Sequence, residues 1–222
     1  MLDPFNPSLD YGYADFDARH RFVTSFNYEI PFFKNAESSL VRNLLGGFSL
    51  TGILNARTGN PFTVFDCTTA SSGACPRYVP STGSVSSSSG SRESVGANSF
   101  SFLQLPAANP FVNPLTGNGV VGPFPAEMSK RNAFRGPGYW NADLGLYKRI
   151  KFNERYSMQL RLEAFNVFNH ANLFIVPGSL DISGFTDADG NPTPSFIPAQ
   201  RGVFTSGNLE RRNVQLAVKF LF

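Results

Sequence analysis

No run of 18 or more apolar residues occurs anywhere in the chain, which excludes a membrane-spanning helix. Charge is also scarce: Asp, Glu, Lys and Arg make up 16% of the residues and leave a net +3. Arg211 and Arg212, beside Glu210, are the nearest approach to a basic run, so a nucleic-acid partner is not expected. The first twenty residues, MLDPFNPSLDYGYADFDARH, contain neither a basic segment nor an apolar one of the kind that directs export. No lipase-type nucleophile elbow, zinc-protease helix or phosphate-binding loop occurs, so catalysis and a bound cofactor are both unsupported.

Histidine and cysteine are equally sparse. His20 and His170 stand far apart without a cysteine partner or metal-like spacing, and isolated histidines of this kind are ordinarily polar groups at an interface. Cys67 and Cys75 flank a segment of Thr, Ala, Ser and Gly. In an exported loop such a pair closes a small disulfide ring; the alternative is two unpaired thiols in a loop. Asp187, Asp189 and Asn191 alternate oxygen ligands as a calcium loop does. Pro192 and Pro198, however, stand where such a loop needs Gly and Glu, and a polar turn is the expectation.

Aromatic residues are what the chain has in excess: 23 Phe and 7 Tyr in 222 residues. Their spacing is informative. In the terminal segment NVQLAVKFLF, Val214, Leu216, Val218, Phe220 and Phe222 share one face of a strand, and Asn213, Gln215 and Lys219 share the other. Residues 19–31 place Phe22, Phe26, Tyr28 and Ile30 against Arg21, Ser25, Asn27 and Glu29. Residues 47–58 repeat the device with Phe48, Leu50, Leu54 and Ala56, with Ile53 as the apolar exception on the polar face.

Two further segments alternate in the same way. Residues 139–152 oppose Trp140, Ala142, Leu144, Leu146, Ile150 and Phe152 to Asn141, Asp143, Tyr147, Arg149 and Lys151. Lys148 interrupts the apolar face near the strand's end, where a long side chain snorkels to an interface. Residues 155–168 oppose Tyr156, Met158, Leu160, Leu162 and Ala164 to Ser157, Gln159, Arg161 and Glu163. The phase fails past Ala164, as at a bulge or where a strand leaves a bilayer.

Strands of about ten residues, apolar on one face and polar on the other, fit a lipid-facing barrel wall. The expected fold is therefore all-β: an antiparallel transmembrane β-barrel fragment with five long strands at 19–31, 47–58, 139–152, 155–168 and 209–222. Asn153, Glu154 and Arg155 form a three-residue turn that pairs Phe152 with Tyr156 and keeps the faces in register. The stretches 59–138 and 169–208, rich in Ser, Gly, Pro and Asn and including the run Ser84 to Ser91, read as long extracellular loops. The 32–46 connection and the 153–155 turn then lie on the periplasmic side. Tyr28, Phe48, Phe152, Tyr156, Phe220 and Phe222 fall at the inner rim, and Phe22, Trp140 and Phe168 at the outer one.

Five strands are too few to close a barrel, for which about eight is the minimum. The sheet is thus expected to continue a longer sheet or to assemble with other chains. The simplest expectation is that these residues are the C-terminal piece of a longer polypeptide.

Arg135 to Phe174 resembles the penultimate hairpin of TonB-dependent outer-membrane receptors, in particular the Oar-like group that carries an N-terminal carboxypeptidase-regulatory-like domain. The match rests on Gly136-Pro137-Gly138, on Trp140, Asn141, Asp143 and Leu144, on the run Glu163 to His170, and on the terminal aromatic strand. Asp15 to Phe32 and Leu44 to Thr63 are similar to the two preceding strands of that family. The resemblance implies a parent barrel of about 22 strands around an internal plug, located in the outer membrane and energised through TonB by a segment not contained in these residues. It also implies as partners the outer-membrane lipid, the rest of the barrel and plug, and the barrel-assembly machinery acting on the strand that ends at Phe222.

Asp143, Arg149, Arg161 and Glu163 project toward the lumen on neighbouring strands. They are candidates for contact with a solute or plug, or else for an ion-pair network among wall residues. Three functions follow: the end of a TonB-dependent transporter barrel, a surface-structural or adhesive barrel, and a soluble all-β binding domain.

Overall fold

The computed structural model describes residues 6–33, 35–67, 75, 77–79, 94–96, 98–106, 115–116, 120–121, 124, 127–175, 180–183, 187–189, 195–202 and 211–222. In chain order the strands are β1 (Arg21–Glu29), β2 (Phe48–Arg57), β3 (Pro61–Phe62), β4 (Ser94–Gly96), β5 (Ser99–Leu105), β6 (Leu115–Thr116) and β7 (Val120–Val121). They continue with β8 (Phe134–Arg135), β9 (Tyr139–Lys151), β10 (Ser157–Phe165), β11 (Leu173–Ile175), β12 (Ser195–Arg201) and β13 (Asn213–Leu221). Among the described residues one α-helix, α1 (Ser39–Leu45), lies between β1 and β2. The chain divides into two compact units.

The first unit comprises His20–Arg57, Tyr139–Asn172 and Val203–Phe222 and is a single antiparallel sheet of five strands in the order β1-β2-β9-β10-β13. Each of the five alternating segments forms one strand, slightly shorter than its pattern. In every ladder even-numbered residues face even-numbered ones: Phe22 pairs with Ala56, Leu54 with Ala142, Leu162 with Leu146 and Leu162 with Leu216. Because successive side chains alternate between faces, one face collects Phe22, Phe26, Leu50, Leu54, Leu144, Leu160, Leu216 and their neighbours. The other collects Asn27, Thr51, Asn141, Asp143, Arg161, Glu163 and Gln215.

The turn after β9 has the expected register, with the Phe152 amide donating to Tyr156 O at 3.0 Å. Asn153 Oδ1 accepts from the amides of Arg155 and Tyr156. Beyond Phe165 the strand ends because the backbone turns. Asn166 and Asn169 both have positive φ, 51° and 52°, a conformation that asparagine tolerates better than most residues. Residues 166–168 are therefore not strand. Of the last strand's expected range, residues 209–210 lie outside the described residues.

The second unit comprises Met1–Arg19, Thr58–Gly138 and Leu173–Gly202, and it corrects the expectation of structureless loops. Segments of both long connections join in one sheet of order β11-β12-β5-β4. β5 and β12 bury alternate residues, Ser101, Leu103 and Leu105 on one and Ser195, Ile197 and Ala199 on the other. Pro198 is accommodated at a register shift beside Ile197, which is how a proline enters a sheet. Phe62, Val64, Tyr78, Leu103, Leu105, Phe134, Ile182 and Ile197 form a hydrophobic core. Cys67 and Cys75 are joined by a disulfide, with Cα atoms 4.7 Å apart. The run Ser84 to Ser91 and Asn191 lie outside the described residues.

Because this core is self-contained, Leu103→Ala is expected to cost about 2–4 kcal/mol. Amide hydrogen exchange should then accelerate in β5 and β12 while the β9 and β10 amides keep their protection. Uniform acceleration in all four strands would show that the two units share one cooperative transition.

Candidate functional site

The five-stranded sheet has an unusual distribution of exposure. Among the described residues, both clusters of buried apolar side chains belong to the other unit. Leu216 is 81% exposed, Phe220 63% and Phe22 58%, all on the apolar face. Such a row in water would forfeit roughly 1.5–3 kcal/mol per large side chain, and a contiguous apolar surface of this extent marks contact with another apolar phase. Gly52 lets the Phe26 ring lie flat across this face, since a Cβ there would meet the ring.

The opposite face is polar and internally bonded. Gly145 leaves room for the Tyr147 side chain, as a Cβ would fall 2.9 Å from its hydroxyl oxygen. That hydroxyl donates to Glu163 Oε1 at 2.8 Å. Arg161 donates to Gln159 Oε1 from both Nε and Nη2 and lies 5.6 Å from the Tyr147 ring centroid. Asp143 Oδ1 accepts from Asn141 Nδ2 at 2.9 Å and from the Asn166 amide at 2.8 Å. Asp143, Arg149, Arg161 and Glu163 thus share one face, but among the described residues no ion pair joins them. Hydrogen bonds to neutral neighbours take the place of the expected ion-pair network, because the cross-strand partners of Arg161 and Glu163 are Tyr147 and Gly145, not charges of opposite sign.

At the end of β9 nearer Trp140, three asparagines that the alternation pattern passes over hold the sheet together. The buried Asn172 amide mimics a strand residue: its Oδ1 accepts from the Trp140 amide at 2.9 Å and its Nδ2 donates to Trp140 O at 3.1 Å. Asn166 does the same for His170, donating from Nδ2 to its carbonyl and accepting its amide at Oδ1. Asn169 Oδ1 accepts from the Arg212 amide at 3.0 Å and so fixes the approach to β13. The imidazole of His170 stacks on Trp140 at 4.2 Å, and Phe168 tilts against the same indole. The only signal for these roles is the recurrence of Asn at every third position where the apolar alternation stops.

In the other unit, buried polar groups fasten the N-terminal segment. Arg77 is 4% exposed. It donates to Leu9 O at 2.6 Å and to Ser129 O at 2.7 Å, with Asp10 at 3.6 Å. Burial pushes the Tyr78 phenol above its usual range, with Asp66 adding to the effect, so it stays protonated and donates to Pro106 O at 2.7 Å. Asn132 exchanges hydrogen bonds with Thr63 and donates to Tyr13 O and to Asp15 Oδ1, both at 2.6 Å. Arg135 bonds Asp17 and the carbonyl of Gly59. A cleft of about 440 Å³ is lined by Gln104, Leu105, Pro106, Ser195 and Phe196. Asp187 and Asp189 close an Asx turn through the Asp189 amide.

A sheet with one lipid-like face, one hydrated face and no core of its own is a segment of transmembrane β-barrel wall. The family model described as "Outer membrane beta barrel domain" matches residues 1–215, and the chain belongs to that family, which places it in the outer membrane. No curated protein and no solved structure matches the chain.

Two outcomes are expected. Leu216→Arg, on the lipid face, should destabilise the wall by about 2–4 kcal/mol, whereas Gln215→Arg on the hydrated face should stay within about 0.5 kcal/mol. Urea titration in phospholipid bilayers reads both. The second concerns Asp15, whose carboxyl is held below the ordinary carboxylate range first by the Asn132 amide and then by Arg131, against an opposing effect of burial. A lowered folded pKa contributes stability that is present above the unfolded value and is lost as pH falls through the folded one. Protection against hydrogen exchange of the Asp17 amide, which donates to Ala14 O at 2.9 Å, should therefore weaken below about pH 4, and Asp15→Asn should flatten that profile; an unchanged profile would show that the bond between Asp15 and Asn132 does not fasten the N-terminal segment.

Proposed function

We propose that these residues form the C-terminal part of the barrel of a TonB-dependent outer-membrane transporter, which takes up a solute using energy delivered from the inner membrane. The observation that carries the reading is the five-stranded wall whose ladder, among the described residues, ends at β1 and β13. Two free edges of about nine residues in lipid demand further strands, as a large barrel supplies. The segment from Gly136 to His170, with Trp140, Asp143 and the asparagine-rich turn, carries the likeness to that family.

In this reading β1 follows the earlier strands of the same barrel, and β13, with Phe222 beyond it, is the element read by the barrel-assembly machinery. The hydrated face with Asp143, Arg149, Arg161 and Glu163 turns toward the plug, and TonB acts through a segment outside these residues. The short connections lie in the periplasm and the long ones outside. The role is transport, without catalysis or a cofactor.

A second reading, a surface-structural or adhesive barrel, draws on the folded unit in the long connections, which has its own core and disulfide. Sequencing the DNA upstream of Met1 and translating it in frame separates the two. Transport requires a leader, a plug domain and about seventeen further strands; a frame that encodes strands without a plug would favour the adhesive barrel.

A further inference from the structure

α1 is too short to be stable as an isolated helix, yet its apolar side chains do not pack into a core. Leu40, Leu44 and Leu45 are 74%, 68% and 52% exposed, and the neighbouring Phe32 and Phe33 are exposed too. Leu40, Val41, Leu44 and Leu45 lie on one side of the helix and Arg42 and Asn43 on the other. The Phe32 to Gly46 connection thus displays an amphipathic surface of the kind that lies along a membrane interface.

Lys148 decides which side of the wall that surface occupies. It stands in the apolar row of β9, between Leu146 and Ile150, and is 8% exposed. Its Nζ donates to the carbonyl of Gly46, the residue that closes α1, and lies 4.4 Å from the centroid of the Phe48 ring. Because Lys148 leaves the wall on its lipid face, the bond to Gly46 places the closing carbonyl of α1 at the lipid-side rim of the sheet. The contact also gives the charge on the apolar face a partner within the protein. The depth agrees: Phe48 is the cross-strand neighbour of Lys148, Phe220 pairs with Met158 in the adjacent row, and Phe152 with Tyr156 forms the row after that. Aromatic residues collect at this level in barrels, where headgroups meet acyl chains.

We propose that α1 with Phe32 and Phe33 is an interfacial anchor whose occupant is the phospholipid of the periplasmic leaflet. Leu40, Leu44 and Leu45 enter the acyl boundary, and Arg42 stays at the level of the phosphates. The anchor extends the lipid contact of the wall past its last hydrogen-bonded row, and it depends on the outer-membrane assignment, not on transport. It pins the β1–β2 connection to the bilayer surface.

The test uses single cysteines at Leu44→Cys and Arg42→Cys in the full polypeptide, whose bridged Cys67 and Cys75 do not react; heat-modifiable migration verifies that each variant is folded. In outer-membrane vesicles open on both sides, a water-soluble maleimide should label Leu44→Cys about tenfold more slowly than Arg42→Cys. After reconstitution into protein-free phosphatidylethanolamine and phosphatidylglycerol vesicles, a fluorophore at Leu44→Cys should be quenched by lipid brominated on the upper acyl chain, and one at Arg42→Cys should not. Equal, fast labelling at both positions overturns the anchor. Slow labelling in native membranes without quenching in pure phospholipid overturns it in favour of a protein that covers the helix.

Discussion

Inside hydrocarbon a peptide N–H or C=O without a partner costs several kcal/mol, and no water is present to supply one. The wall answers this constraint by continuous ladders from β1 to β13, and at the places where a ladder runs out it uses side chains as backbone. Asn172 pairs both polar groups of Trp140, and Asn166 pairs both of His170. Lys148 supplies a donor to Gly46 at the opposite end of the same strand. The aromatic belts then sit where the hydrogen-bonding solution changes from strand to side chain.

The same ladders fix the chemistry of the two faces. Pairing even residues with even residues across four interfaces means that a slip of one residue in any of them would carry one strand's apolar side chains to the lumen and its polar ones into lipid, Arg161 and Glu163 among them if the strand were β10. Glycine appears where the faces need thickness from a neighbour: Gly52 beneath Phe26, and Gly145 beneath Tyr147. The hydrated face is thereby closed by hydrogen bonds between neutral and charged groups, and Arg149 stands exposed on it.

The unit built from the long connections obeys the rules of a water-soluble fold. It buries Leu103, Leu105, Ile197 and Tyr78 together and satisfies its buried cation Arg77 with backbone carbonyls and Asp10. Its strands were hard to see in the sequence for a physical reason. β5 and β12 are seven residues long, lie in different connections with the wall strands β9 and β10 between them, and β12 contains a proline that ordinarily argues against a strand. Serine at Ser101 and Ser195 occupies inward positions where an apolar residue would have announced the pattern.

By itself the sequence determined the five wall strands, their faces, the register of the turn at Asn153 and the class of membrane, because a strand between lipid and water must alternate at every step and that requirement is local. Tertiary structure alone decided what depends on distant partners: that Ser99–Leu105 pairs with Ser195–Arg201, that Asp143 holds the Asn166 turn and not an arginine, and that Lys148 reaches across to Gly46. None of these leaves a periodic trace, since each joins residues far apart in the chain through one hydrogen bond or one short ladder, and only the folded backbone brings the two ends within reach.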